Sequence, residues 1–134
     1  MKKYSWDGKK GFGVFEESGQ WRIAHHVYEE TVNGMAAAGT WGIHRDSDEV
    51  FVLIRGSAAL AVKGAEEDGR MSVFQLEKKQ IYMVEAGEPH ILILKEDTEV
   101  LVIENRNMDN SVKFAAQPEE KEKIETFMKG DIVA

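Results

Sequence analysis

Residues Val50–Ile54 constrain this chain more than any others. Every one is apolar, and most are β-branched or aromatic, which favours a strand over a helix. With no polar alternate, the run reads as a strand buried on both faces. It stops at Gly56 and is preceded by Asp46-Ser47-Asp48, a turn signal. The same rhythm recurs. Gly11–Phe15, Trp21–Tyr28, Ala58–Lys63, Met71–Leu76, Ile81–Val84, Ile91–Leu94 and Val100–Ile103 all read as short strands. Turns are expected at Glu16–Gly19, Gly64–Gly69, Glu77–Gln80 and Lys95–Thr98. Short strands joined by tight turns, with no long helix between them, make an antiparallel sandwich or barrel, not a βαβ fold.

The remaining segments fit around such a sheet structure. Met1–Gly11 reads as a polar arm that Tyr4 and Trp6 can anchor. Trp21–Tyr28 alternates, so His25 and His26 point to opposite faces and at most one looks inward. Glu29–Gly39 holds an Asn33-Gly34 turn signal and a run of alanines suited to one helical turn or close packing. Asn105–Ala116 reads as a polar exit. Pro118 then opens a helix over 118–129, with Glu119 and Glu120 in its first turn and Lys129-Gly130 at its end. Ile124, Phe127 and Met128 form its apolar stripe, expected to dock on the barrel or on a partner subunit. The expectation is one domain over 1–134, with a core in 21–105.

Charge and composition exclude several roles. A formal charge of −7 argues against non-specific binding to nucleic acid or an anionic membrane, both of which want clustered Lys and Arg. There is no cysteine, hence no disulfide framework and no thiolate metal site. No apolar run reaches spanning length, and the basic start MKKYSWDGKK lacks the apolar core of a signal peptide. The expected location is the cytoplasm. GKKGFG imitates a phosphate loop but lacks the Lys-Ser/Thr and helix that would complete it.

The chemistry concentrates around the first long apolar strand. His44 precedes the turn and Glu49 follows it, so pairing across a hairpin would place them side by side. An imidazole and a carboxylate beside a buried sheet are metal-ligand types. His44, four residues, Glu49, six residues and Gly56 together resemble the second half of the first cupin motif. Met83–His90, MVEAGEPH, resembles the second motif, Pro-x-Gly-x-x-His. The resemblance spans Ile23 to Asn105 and departs from the family in places. The first His of His-x-His falls on Gly42. Glu85 stands at the proline position, Lys79 at the leading glycine and Leu94 at the trailing asparagine. An alternative register, with His44 first and Asp46 second, brings Glu49 too early.

The resemblance implies an all-β antiparallel jelly-roll barrel with a short C-terminal helix outside it. It also implies a homodimer, formed through the Trp6 arm or the helix stripe. Three of the family's four ligand positions carry ligand-type residues: His44, Glu49 and His90. They suit a divalent Zn, Mn, Fe, Ni or Co ion. Gly42 either widens the open face of that ion or marks a site that has lost it. Trp41, Phe51, Tyr82, Met83 and His26 are the expected pocket walls. The partner is a small molecule, a sugar or small organic acid. The activity is of the isomerase, dioxygenase or decarboxylase type; the alternative is a metal-free cupin that binds or senses a small ligand without catalysis. No residue is assigned a catalytic role.

Overall fold

Ten strands and two helices follow the expected rhythm, and a computed structural model describes them over residues 1–64 and 69–131. The acidic tip Glu66-Glu67-Asp68, expected as a loop, lies outside the described residues. The elements are β1 (Gly11–Ser18), β2 (Trp21–Val27), α1 (Glu30–Asn33), a 3-10 turn (Met35–Ala37), β3 (Thr40–His44), β4 (Glu49–Arg55) and β5 (Ala58–Val62). They continue with β6 (Ser72–Gln75), β7 (Tyr82–Val84), β8 (His90–Leu94), β9 (Glu99–Asn105), β10 (Ser111–Ala115) and α2 (Pro118–Asp131). The strands divide into two antiparallel sheets, β1-β2-β9-β4-β7 and β10-β3-β8-β5-β6. The all-β antiparallel class and the C-terminal helix are as expected, with the strands shared between two facing sheets.

Their facing sides make the main core. Ala24, Phe51, Leu53, Val84, Val100 and Val102 from the first sheet meet Ala58, Leu60 and Leu94 from the second. A second core lies behind the second sheet. There Ala59, Ala61, Ile91 and Ile93 pack under Ile124 and Met128 of α2. That helix stripe docks on the second sheet, one of its two expected placements, and the other, contact with a second subunit, is corrected: Ile124 is fully buried already. Glu120 Oε1 accepts the Gln117 backbone N–H at 2.8 Å, closing the helix start. The helix runs on through Gly130, past the expected end at 129.

Three further corrections have physical causes. Val50–Ile54 is not buried on both faces. Phe51 and Leu53 are buried, Val50 and Val52 half-buried, and Ile54 is 39% exposed, because no described layer covers the far side of the first sheet there. Instead β5 and β8 are covered on both sides. Secondly, β1 extends through Glu16 and Glu17 to Ser18, since a bulge between Val14 and Glu16 keeps it paired to β2. Thirdly, Ser111–Ala115 is not a polar exit but an edge strand, paired along its length with β3.

The turn at 45–48 does not close a hairpin. It carries the chain from the second sheet to the first, so β3 and β4 face each other across the core. Gly56 makes the next turn possible. It sits at φ +88°, and a Cβ there would lie 2.6 Å from Thr98 Cα. Thr98 Oγ1 in turn accepts the Ser57 N–H at 2.9 Å.

Candidate metal centre

Inward-facing positions on both sheets converge at one end of the core. His44 closes β3 and His90 opens β8; the two strands meet at the Gly42–His90 pair. Glu49 opens β4 on the opposite sheet. The Gly87 N–H donates to His44 O at 2.8 Å, tying the two sequence motifs together. Glu49 Oε1 lies 2.8 Å from His90 Nε2 and 3.3 Å from His44 Nε2. The nearest ligand atoms of all three residues lie within 4.8 Å of one another. Glu49 and His90 are buried and His44 is half-buried.

The hydrogen bonds behind the rings fix which nitrogen carries a proton. Ser111 Oγ gives its one hydrogen to Met108 O at 2.6 Å. It therefore accepts from His44 Nδ1, 2.7 Å away, and His44 Nε2 is left as a lone pair. His90 Nδ1 lies 3.0 Å from Glu88 O, which can only accept, so a neutral His90 also offers Nε2 as a lone pair. Two imidazole lone pairs and a carboxylate oxygen thus aim at one spot. Bonds of about 2.0–2.2 Å to a common ion would put neighbouring ligand atoms roughly 3 Å apart, which the two Glu49 distances match. Backing of each ligand imidazole by a carbonyl or hydroxyl is what metal sites need to hold their rings.

A proton on an imidazole relieves the same crowding of acceptors. Burial pushes the Glu49 carboxyl up, but hydrogen bonds from His44, His90 and Glu104 hold it well below the ordinary carboxylate range. Burial pulls His90 down, and the Glu49 hydrogen bond and charge more than offset it, so His90 is raised. Glu104 faces Glu49 across β9 and β4. Burial first, then the hydrogen bond and charge of Glu49, push Glu104 up, against the pull of Arg22. Arg22 Nε donates to Glu104 Oε2 at 2.7 Å. Within the carboxyl pair, Glu49 is held toward the ionised form and Glu104 is pushed toward the protonated one.

A cavity of about 470 Å³ opens from this cluster. His26 and Phe51 line it, with Lys113 and Thr40. Trp41 borders it, but its indole turns to α2: Nε1 donates to Glu120 Oε1 at 3.2 Å, and Lys63 Nζ sits 5.1 Å from the ring centroid. Tyr82 and Met83 lie elsewhere. The Tyr82 hydroxyl accepts the Glu77 N–H at 2.9 Å, and Met83, one position out of phase with Val84, is 56% exposed on the outer face. Asp46 bonds Asn110 Nδ2 at 3.0 Å and stays outside the cluster. Gly42 faces into it, and a Cβ there would meet only His90 O at 3.9 Å, so this side is open.

Several residues here escaped the sequence reading. Ser111 and Lys113 ride on the unrecognised strand β10. Arg22 and Glu104 left one signal, charged residues at positions where the inward alternation calls for apolar ones. Asn33, read only as part of a turn, bonds His26.

No family model matches this chain, and no curated relative matches it. Solved structures do. A cupin-2 domain protein from Shewanella frigidimarina superposes with a TM-score of 0.53 at 22% identity, covering 72% of this chain and 80% of that one. KdgF from Halomonas sp. gives 0.54 at 12% identity, covering 78% and 88%. The chain has the cupin fold. A third similar structure, the DMSP lyase DddQ from Ruegeria pomeroyi, gives 0.53 at 13% identity and covers 81% of this chain against 52% of its own. This fold brings His44, Glu49 and His90 close enough together to hold a metal, and no described helix is long and apolar enough to cross a membrane.

Proposed function

We propose that this cupin binds a divalent metal through His44, Glu49 and His90 and presents it to a small molecule in the adjoining cavity. The observation that carries the reading is the convergence of Glu49 Oε1 and the Nε2 atoms of His44 and His90 on one point, with each Nδ1 engaged behind its ring. Acceptors packed this way repel one another unless a proton or a metal cation lies between them. Zn, Mn, Fe, Ni or Co suits two imidazoles and a carboxylate. Bound there with open positions, such an ion polarises a carbonyl or activates a diol or dioxygen. The chain's own part is to hold the ligands with Ser111, Glu88 and Glu104, and to leave the Gly42 side free for substrate. Isomerase, dioxygenase or decarboxylase chemistry on a sugar or small organic acid is the activity proposed for that open face.

Elemental analysis of the protein after exposure to each metal tests this. Wild type should retain a stoichiometric ion. His90→Ala should lose most of it, and Asp46→Ala should lose little. Equal metal content in wild type and His90→Ala would sink the reading. Because each imidazole must shed its proton to bind, retention should weaken as pH falls through the histidine range.

The homodimer is proposed as well, through a different surface from the helix stripe. Ile23, Ile103, Val50 and Met83 lie side by side across four strands on the uncovered face of the first sheet. A second copy laid on that row would bury it. Light scattering that gives a monomer mass at micromolar concentration would contradict this.

A further inference from the structure

His26 stands at the cavity wall, apart from the three candidate ligands, and its surroundings fix its chemistry. Asn33 is buried beneath it. The side-chain oxygen of Asn33 accepts the Glu29 N–H at 2.8 Å, and its nitrogen donates to Val27 O at 3.0 Å. Those two backbone groups admit only one orientation of the amide. The atom that Asn33 turns to His26 Nδ1, 3.1 Å away, is therefore the donor nitrogen. His26 Nδ1 must accept, so the neutral ring carries its hydrogen on Nε2, the side away from Asn33. Burial lowers the His26 pKa to about 4, so the ring stays neutral through the physiological range.

The cavity has one further feature. Lys113 lies directly across from Gly42 on the β10–β3 pair, on the inward side of β10, where no side chain on Gly42 stands in its way. Among the described residues Lys113 has no carboxylate partner. Glu49, the acidic residue lining the cavity, belongs to the candidate metal cluster. A neutral N–H donor and an unpaired cation therefore face the ligand space on an otherwise acidic protein.

We propose that His26 and Lys113 make this cavity a receptor for a small carboxylic acid, with His26 as a fixed Nε2–H donor and Lys113 as the counter-charge. This deepens the metal reading and rests on it for one contact: a second oxygen of the acid, such as an α-hydroxyl, reaches the ion. It selects the organic-acid branch over the sugar branch, because a neutral polyol gains nothing from Lys113. Asn33 is a positioning residue that acts through the His26 tautomer.

The test has two parts. Nitrogen-15 NMR of the metal-free protein should show His26 as the Nε2–H tautomer from pH 5.5 to pH 8, and Asn33→Leu should lose that preference; an Nδ1–H ring in wild type overturns the proposal. Calorimetric titration then compares lactate with propane-1,2-diol, which differ at the carboxylate. Wild type loaded with Co(II) should prefer lactate. Lys113→Gln should weaken lactate binding about tenfold and leave the diol unchanged. His26→Phe should weaken lactate by a similar factor at unchanged metal content, with His26→Gln, which keeps an N–H, recovering part. No lactate preference in wild type, or none lost in either variant, overturns the proposal. The same titrations on metal-free protein separate the two readings: failed metal uptake with a surviving lactate preference removes the metal and keeps the acid receptor.

Discussion

The outer faces of the two sheets received opposite treatment. Behind the second sheet, the stripe of α2 seals Ala59, Ala61, Ile91 and Ile93 completely enough that β5 and β8 are buried on both sides. Behind the first sheet, among the described residues, there is only the N-terminal arm. Trp6 packs edge-on against Phe15 at 5.3 Å and tilted against His25 at 5.4 Å, and beyond them Ile103 and Met83 remain 37% and 56% exposed. Apolar sequence alone therefore does not say which strand is central. Val50–Ile54 is the most apolar run and has one bare face, while the small residues of Ala58–Ala61 are sealed because their size lets a helix approach closely.

The sharpest way to break this contrast is to empty the sealed face. Ile124→Ala should cost about 2–5 kcal/mol in urea unfolding, the range for truncating a buried aliphatic side chain. A loss under about 0.5 kcal/mol would mean that α2 is not a structural layer. On the other face, Trp6→Ala should cost less, about 1–3 kcal/mol, because the ring is only half-buried.

The Trp6 variant also sharpens the contrast through pH. His25 lies under the arm with Nδ1 buried and unpartnered, and desolvation lowers its pKa. The folded state thus binds fewer protons than the unfolded chain just below the ordinary value of 6.5, so stability is lost as pH falls from 6.5 toward the lower folded pKa. Uncovering His25 in Trp6→Ala should flatten that acid-side loss, and Ile124→Ala should leave its slope unchanged. Unfolding free energies at pH 5 and pH 7.5 measure both. Smallest of all should be Ile103→Thr on the bare row, within about 0.5 kcal/mol for the isolated monomer. A clearly larger, concentration-dependent loss would show that a second copy covers the row.

The sequence made the strand rhythm, the helix stripe and the three-residue cluster legible, since each follows from local periodicity or motif spacing. Long-range pairing was not legible. His44 and Glu49 looked like hairpin neighbours because they flank a turn, but the turn at 45–48 changes sheets and they meet through the core. SVKFA alternates weakly and follows polar residues, so nothing local marks β10, whose pairing with β3 supplies both Ser111 and Lys113. Asn33 and His26 are seven residues apart, yet their bond needs the α1 turn to fold back onto β2.

That change of sheet at 45–48 has a mechanical consequence. His44 and His90 belong to one layer and Glu49 to the other, so an ion held by all three would rivet the layers together. Uptake at such a point is not a local event. It should slow amide exchange in β4 and β8 alike, although no backbone hydrogen bond joins those two strands in the described structure. Loading would then set how freely the two halves of the sandwich breathe, and with them the mouth of the cavity between.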